Sequence, residues 1–82
     1  MANREDMCAW VEVAVKRLGG SASIVEVAEE LWSTHEDELR ESGRLLFTWQ
    51  YDMRWCALVL RKRGFLRPAN QSPRGVWEAV TE

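Results

Sequence analysis

The chain has 82 residues, 46% of them hydrophobic and 29% charged, with a formal net charge of −2. That length fits one small domain over residues 1–82 and excludes a doubly wound sheet, a deep-pocketed barrel and most enzyme folds. The composition is too apolar for a disordered tail, and no apolar run approaches the roughly 20 residues of a bilayer-spanning helix.

A first helix is predicted over Arg4 to Leu18. Asn3 can cap it, and Asp6 falls at the third helical position, where a carboxylate favours the positive helix end. Met7, Val11, Ala14 and Leu18 make one helical stripe, which Trp10 and Val15 widen. Gly19-Gly20 stops the helix. Ser23 followed by Glu26 is a capping-box pattern, so a second helix should start at Ile24. Ile24, Val27, Ala28 and Leu31, with Trp32 beside them, form its inner stripe, while Glu26, Glu29 and Glu30 face water. This helix is expected to end near Ser33 to His35. Glu36 to Gly43 is acidic and compatible with a helical extension, a separate turn or a loop. Leu45-Leu46-Phe47 is an apolar patch for the core or for a partner chain.

The third helix runs from a Thr48 N-cap to a Gly64 stop. At 100° per residue, Trp49, Met53, Cys56, Ala57, Val59 and Leu60 gather on one face. Gln50, Tyr51, Arg54, Leu58, Arg61 and Lys62 gather on the other, with Trp55 on the flank and expected in the core with Trp10, Trp32, Trp49 and Trp77. Phe65-Leu66-Arg67-Pro68 then reads as a short strand ended by proline, Ala69 to Gly75 as a polar turn, and Val76 to Val80 as a second strand. Ala22-Ser23 could add a third. The fold class is mainly α with a small β-hairpin: a winged helix-turn-helix of three helices plus a two- or three-stranded antiparallel sheet.

Charge is divided between the halves. Residues 1–41 hold 4 basic and 10 acidic residues, net −6, whereas residues 42–82 hold 7 basic and 3 acidic residues, net +4. From Arg44 to Arg74 the sole acid is Asp52. Such asymmetry points to nucleic acid. A helix in the major groove reads base edges with side chains such as Arg and Gln, and cations beyond it meet phosphates. Gln50, Tyr51, Arg54, Arg61 and Lys62 on the third helix, with Arg67 and Arg74 on the hairpin, are the candidate contacts to double-stranded DNA. A homodimer would read two half-sites, with the first helix and Leu45-Leu46-Phe47 as the surfaces for it.

From Tyr51 onward the chain resembles the N-terminal winged-helix domain of Mrr-type restriction endonucleases. The stretches that carry the resemblance are Arg54-Trp55-Cys56, Leu60-Arg61-Lys62-Arg63-Gly64-Phe65-Leu66 and Arg74-Gly75-Val76-Trp77, followed by Thr81-Glu82. Members of that family continue into a nuclease domain and this sequence ends at Glu82, so the resemblance implies DNA recognition without cleavage. It fits a small transcriptional regulator or a specificity piece of a restriction-like system. The alternative is a protein–protein interaction module on the same scaffold, in which Glu26, Glu29 and Glu30 meet a basic partner.

No catalytic constellation is present in the sequence. His35 stands alone among Ser33 to Glu38, neighbours that cannot converge as ligands, and is expected at an exposed helix end. Gly19-Gly20 lacks the Lys of a phosphate loop. No enzyme activity, cofactor, metal or small-molecule substrate is inferred. Cys8 and Cys56, distant in sequence and without metal-ligand spacing, are expected as reduced thiols that behave as small hydrophobes. Met1 to Asp6 carries early acids instead of a signal-peptide pattern, so a cytoplasmic location is expected, with no membrane association.

Overall fold

The computed structural model describes residues 3–80; Met1, Ala2, Thr81 and Glu82 lie outside them, and with them the Thr81-Glu82 match. The elements are α1 (Arg4–Arg17), β1 (Ser21–Ser23), α2 (Ile24–Arg40), α3 (Leu45–Lys62), one 3₁₀ turn (Ala69–Gln71) and β2 (Val76–Glu78). This is a mainly helical chain with a small two-stranded antiparallel sheet, a winged-helix-like layout.

Both expected capping boxes form. Asn3 Oδ1 accepts from the Asp6 amide at 2.9 Å and Asp6 Oδ2 accepts from the Asn3 amide at 3.0 Å. Ser23 and Glu26 repeat the exchange at 3.1 and 2.8 Å. Each box satisfies two amides that a helix start leaves without an internal partner. At the other end of the helical unit, α3 closes through Gly64 at φ +84°. There the Gly64 amide donates to Arg61 O and the Phe65 amide to Leu60 O at 2.9 Å. That paired closure needs a residue in the left-handed region, which glycine enters without steric cost.

The helix boundaries differ from expectation where the core demands it. α2 kinks at His35 (φ −124°, ψ 21°), where the sequence suggested an end, then resumes to Arg40. The resumed turn carries Leu39 into the core at 0% exposure. Glu36 to Arg40 is therefore helix. His35 is not the exposed helix end that its polar neighbours suggested. Its ring stacks on Trp10 with centroids 3.8 Å apart and planes 8° from parallel. Its Nδ1 lies 2.7 Å from Glu38 Oε1. α3 starts a turn before Thr48, because Leu45 is drawn inward. Thr48 does not cap it; its Oγ1 donates to Asp52 Oδ2 at 2.8 Å.

The sheet is also reassigned. β2 pairs with β1, Ala22 opposite Trp77, rather than mainly with Phe65-Leu66-Arg67. That segment contributes one bridge, Leu66 to Ala79. The Arg67 amide donates to Glu78 O at 2.9 Å and the Val80 amide to Phe65 O at 3.0 Å. β2 is thus the central line, with the Ala22-Ser23 strand the stronger neighbour. Pro68, which has no amide hydrogen, cannot extend the weaker edge.

One core unites the elements. Met7, Val11 and Val15 of α1 meet Val27, Leu31 and Leu39 of α2 and Met53, Cys56 and Leu60 of α3, with Leu66 and Trp77 closing the sheet end. Trp49 and Trp77 are buried, and Trp10 and Trp32 pack against the core half-buried. Trp55 departs from expectation: it is 37% exposed, and the Arg4 guanidinium lies 4.5 Å above its ring. The two cysteines also depart. Cys8 and Cys56 form a disulfide between α1 and α3, their Cα atoms 4.8 Å apart. The inner stripes of the two helices pack face to face, which brings together residues that sequence distance kept apart. Among the described residues, no helix is long and apolar enough to cross a membrane.

Candidate nucleic-acid interface

α2 and α3 are joined by the four residues Glu41 to Arg44, and α3 then exposes one long face. Its inner stripe of Leu45, Trp49, Met53, Cys56, Ala57 and Leu60 holds it to the core. The opposite stripe must therefore face outward. Gln50, Tyr51, Arg54, Leu58 and Lys62 are exposed, as the helical periodicity predicts. Arg61 is half-buried, and its Nε donates to Arg67 O at 3.1 Å. This bond ties the end of α3 to the backbone of the segment that follows it. Arg67 and Arg74 are exposed. The structure thus gathers Gln50, Tyr51, Arg54, Arg61 and Lys62 on one helix. Arg67 follows that helix, and Arg74, at the end of the loop before β2, lines one cavity with Arg61.

The electrostatics of this face depend on one acid. Asp52 is 5% exposed and turned away from the outer stripe. Arg4 Nη2 donates to its Oδ1 at 2.8 Å and Arg4 Nε to the same oxygen at 3.1 Å, while Thr48 fills Oδ2. The carboxylate is held by a residue of α1, so its charge does not offset the cations outside. Among the described residues, Arg44, Arg54, Arg61, Lys62, Arg63, Arg67 and Arg74 have no carboxylate partner within ion-pair distance.

The sequence placed Tyr51 and Leu58 on this face but did not join Phe47 to them. Leu45-Leu46-Phe47 divides: Leu45 is buried, Leu46 half-buried, and Phe47 is 85% exposed. Tyr51 is 70% and Leu58 57% exposed. Phe47, Tyr51, Arg54 and Leu58 recur at i, i+4, i+7 and i+11, so they form one stripe. The signal was available in the spacing, once α3 is known to begin at Leu45 instead of after Thr48.

Beside this stripe, α2 and α3 enclose a groove of about 520 Å³. Ile24, Val25, Trp32, Trp49 and Met53 give it apolar walls, and Glu29, Gln50 and Arg54 supply polar groups. The Trp32 and Trp49 rings stack there with centroids 5.8 Å apart. No group of three or more His, Cys, Asp or Glu able to hold a metal ion occurs among the described residues.

Comparison with protein-family models, with curated proteins and with solved structures gives no match for this chain.

Proposed function

We propose that this chain is a non-catalytic DNA-binding module, with α3 as the reading helix and the wing as a second contact. One observation carries the reading: the stretch from Arg44 to Arg74 holds seven cations with no carboxylate partner within ion-pair distance among the described residues, while the acid within that stretch is buried under Arg4. Arg54 and Gln50 stand where base edges would be met, and Tyr51 and Leu58 offer apolar contact to thymine methyl groups. Arg61, Lys62, Arg67 and Arg74 would meet phosphates. The resemblance to the Mrr-type N-terminal domain supports the same role, that of a regulator or a specificity piece. A homodimer would raise the affinity that one small module can reach.

The reading places the protein in the cytoplasm, where DNA is accessible. Cys8 and Cys56 are at most 6% exposed, so their bond is shielded from soluble thiol reductants that must reach a sulfur to attack it.

The test is fluorescence anisotropy of a labelled random-sequence duplex at about 50 mM and about 200 mM salt. Four phosphate contacts would give a log–log slope of roughly −3 to −4. Charge reversal by Arg54→Glu with Arg61→Glu should abolish binding. Binding that survives both changes would remove α3 from the interface.

A second reading, a protein-interaction module, is favoured by the exposure of Phe47, Tyr51 and Leu58 on one stripe. An amphipathic helix with acidic flanks would suit that stripe and its cations.

A further inference from the structure

A second cavity, of about 250 Å³, lies where the start of α2, the last turns of α3 and the loop before β2 meet. Ile24, Val76 and Trp77 form apolar walls, and Arg61, Ser72 and Arg74 contribute the polar side chains. We propose that this cavity is an anion site that takes a phosphate oxyanion. It deepens the DNA reading by naming one place where the backbone would be gripped, and it rests on that reading only for the source of the phosphate.

Three observations converge. First, two of the lining residues are cations and none is an acid. The nearby carboxylates are engaged elsewhere: Glu26 accepts from the Ser23 amide at 2.8 Å, and Glu78 from Ser21 Oγ at 3.4 Å. Second, the Arg61 guanidinium is positioned in advance, because its Nε is spent on Arg67 O. Its terminal nitrogens remain to donate, and a planar guanidinium suits a tetrahedral oxyanion. Third, Ser72 belongs to the cavity lining, and its Oγ, buried just beneath that lining, has no hydrogen-bond partner among the described residues, so a side-chain rotation is what would present it to an oxyanion. A buried hydroxyl left unpaired is destabilising, so its retention at a cationic cavity points to a bound acceptor.

The loop is built to hold these groups. The Ile24 amide donates to Gly75 O at 3.0 Å, fixing the loop to the head of α2. The Val76 amide donates to Pro73 O at 3.1 Å, and Pro68 and Pro73 restrict the backbone on either side of the 3₁₀ turn. Little ordering would then remain to be done on binding.

The experiment is an NMR titration of the ¹⁵N-labelled chain with inorganic phosphate, against chloride at matched ionic strength. Saturable shifts are expected at the Ser72 and Gly75 amides and at the Arg61 and Arg74 Nε groups. Arg74→Gln should weaken phosphate about tenfold, the loss of one charge-assisted bond. Ser72→Ala should weaken phosphate while raising the melting temperature in its absence, because it deletes an unpaired buried hydroxyl. A purely structural serine would not move those two readouts in opposite directions.

A duplex titration separates the sources. If the DNA backbone fills the cavity, Arg74→Gln lowers the salt slope by about one. Phosphate binding without duplex binding leaves the site standing for free phosphate and overturns the DNA reading. Duplex binding with an unchanged slope and no phosphate response overturns the anion site and leaves the DNA reading intact. No response to either probe overturns both.

Discussion

Opening the Cys8–Cys56 bond should cost this domain a large share of its stability. The bond joins residues 48 apart, and cross-linking a loop of that size removes about 4 kcal/mol of denatured-chain entropy in the loop-closure model. A domain of this length has roughly 4 to 12 kcal/mol in total. The expected fall in melting temperature is on the order of 20 °C. The assay is urea unfolding followed by tryptophan fluorescence, with the buried Trp49 and Trp77 as reporters. It is run on the untreated chain, the reduced chain and the Cys8→Ala/Cys56→Ala variant. Because the effect acts on the unfolded chain, the urea dependence should also steepen once the bond is open and the denatured state expands. Two titratable thiols in the untreated, urea-unfolded protein would refute the bond itself. Equal midpoints with and without reductant would refute the energetic argument.

Leu39→Ala should cost about 2 to 5 kcal/mol, since it empties a site with no solvent exposure beyond the His35 kink; a loss below about 0.5 kcal/mol by urea unfolding would mean that the second segment of α2 is not docked. Arg4→Ala should cost about 2 kcal/mol, and at least as much as Asp52→Ala. The first change strands a buried carboxylate, whereas the second leaves a half-exposed guanidinium that water can serve. The reverse order in paired melts would contradict the burial asymmetry. Phe47→Ser should change stability by less than about 0.5 kcal/mol, because the ring is exposed. It should still weaken partner binding if α3 is the contact face, and unchanged affinity for DNA or a captured helix would exclude the apolar stripe from both readings.

Most of the helical layer was legible because its determinants are local. Asn3 with Asp6, Ser23 with Glu26 and the Gly64 stop each act within one turn of chain, and the inner and outer faces of α3 follow from periodicity alone. What was not legible depends on tertiary packing. Leu45 and Leu39 extend their helices past the points where propensity would end them, because the core takes those side chains. His35 gives no hint in its neighbours that Trp10 will lie against it. The disulfide depends on the facing of α1 and α3, which no spacing encodes. That Ala22-Ser23 could join the sheet was readable, but not that this segment, more than fifty residues from β2, would be its stronger partner while the nearer candidate is limited by Pro68. The site divides along the same line. The outward direction of Gln50, Tyr51 and Arg54 was readable, but the withdrawal of Asp52 under Arg4 and the meeting of Arg61, Ser72 and Arg74 at one cavity were not.

The two halves of the chain differ in what their charges do, and this argues for an anionic partner more strongly than the net charge argues against one. In the acidic half, six of the ten carboxylates are used within the fold. Asp6 and Glu26 close capping boxes, Glu12 takes Lys16, Glu30 takes Arg17, Glu36 takes Arg40 and Glu38 meets His35. In the basic half, Arg61 is the one side-chain cation with a hydrogen bond among the described residues, and its acceptor is a backbone carbonyl. Local pairs of this kind contribute little energy each, but they consume charge that could otherwise screen the opposite face. Asp52, the acid best placed to neutralise α3, is removed by an arginine from another helix. The result is a domain of slightly negative total charge whose uncompensated groups on α3 and the wing are cations. Overall charge governs long-range approach, whereas affinity at contact depends on the groups within a Debye length. An anion docking on α3 would meet those cations without first displacing an internal carboxylate.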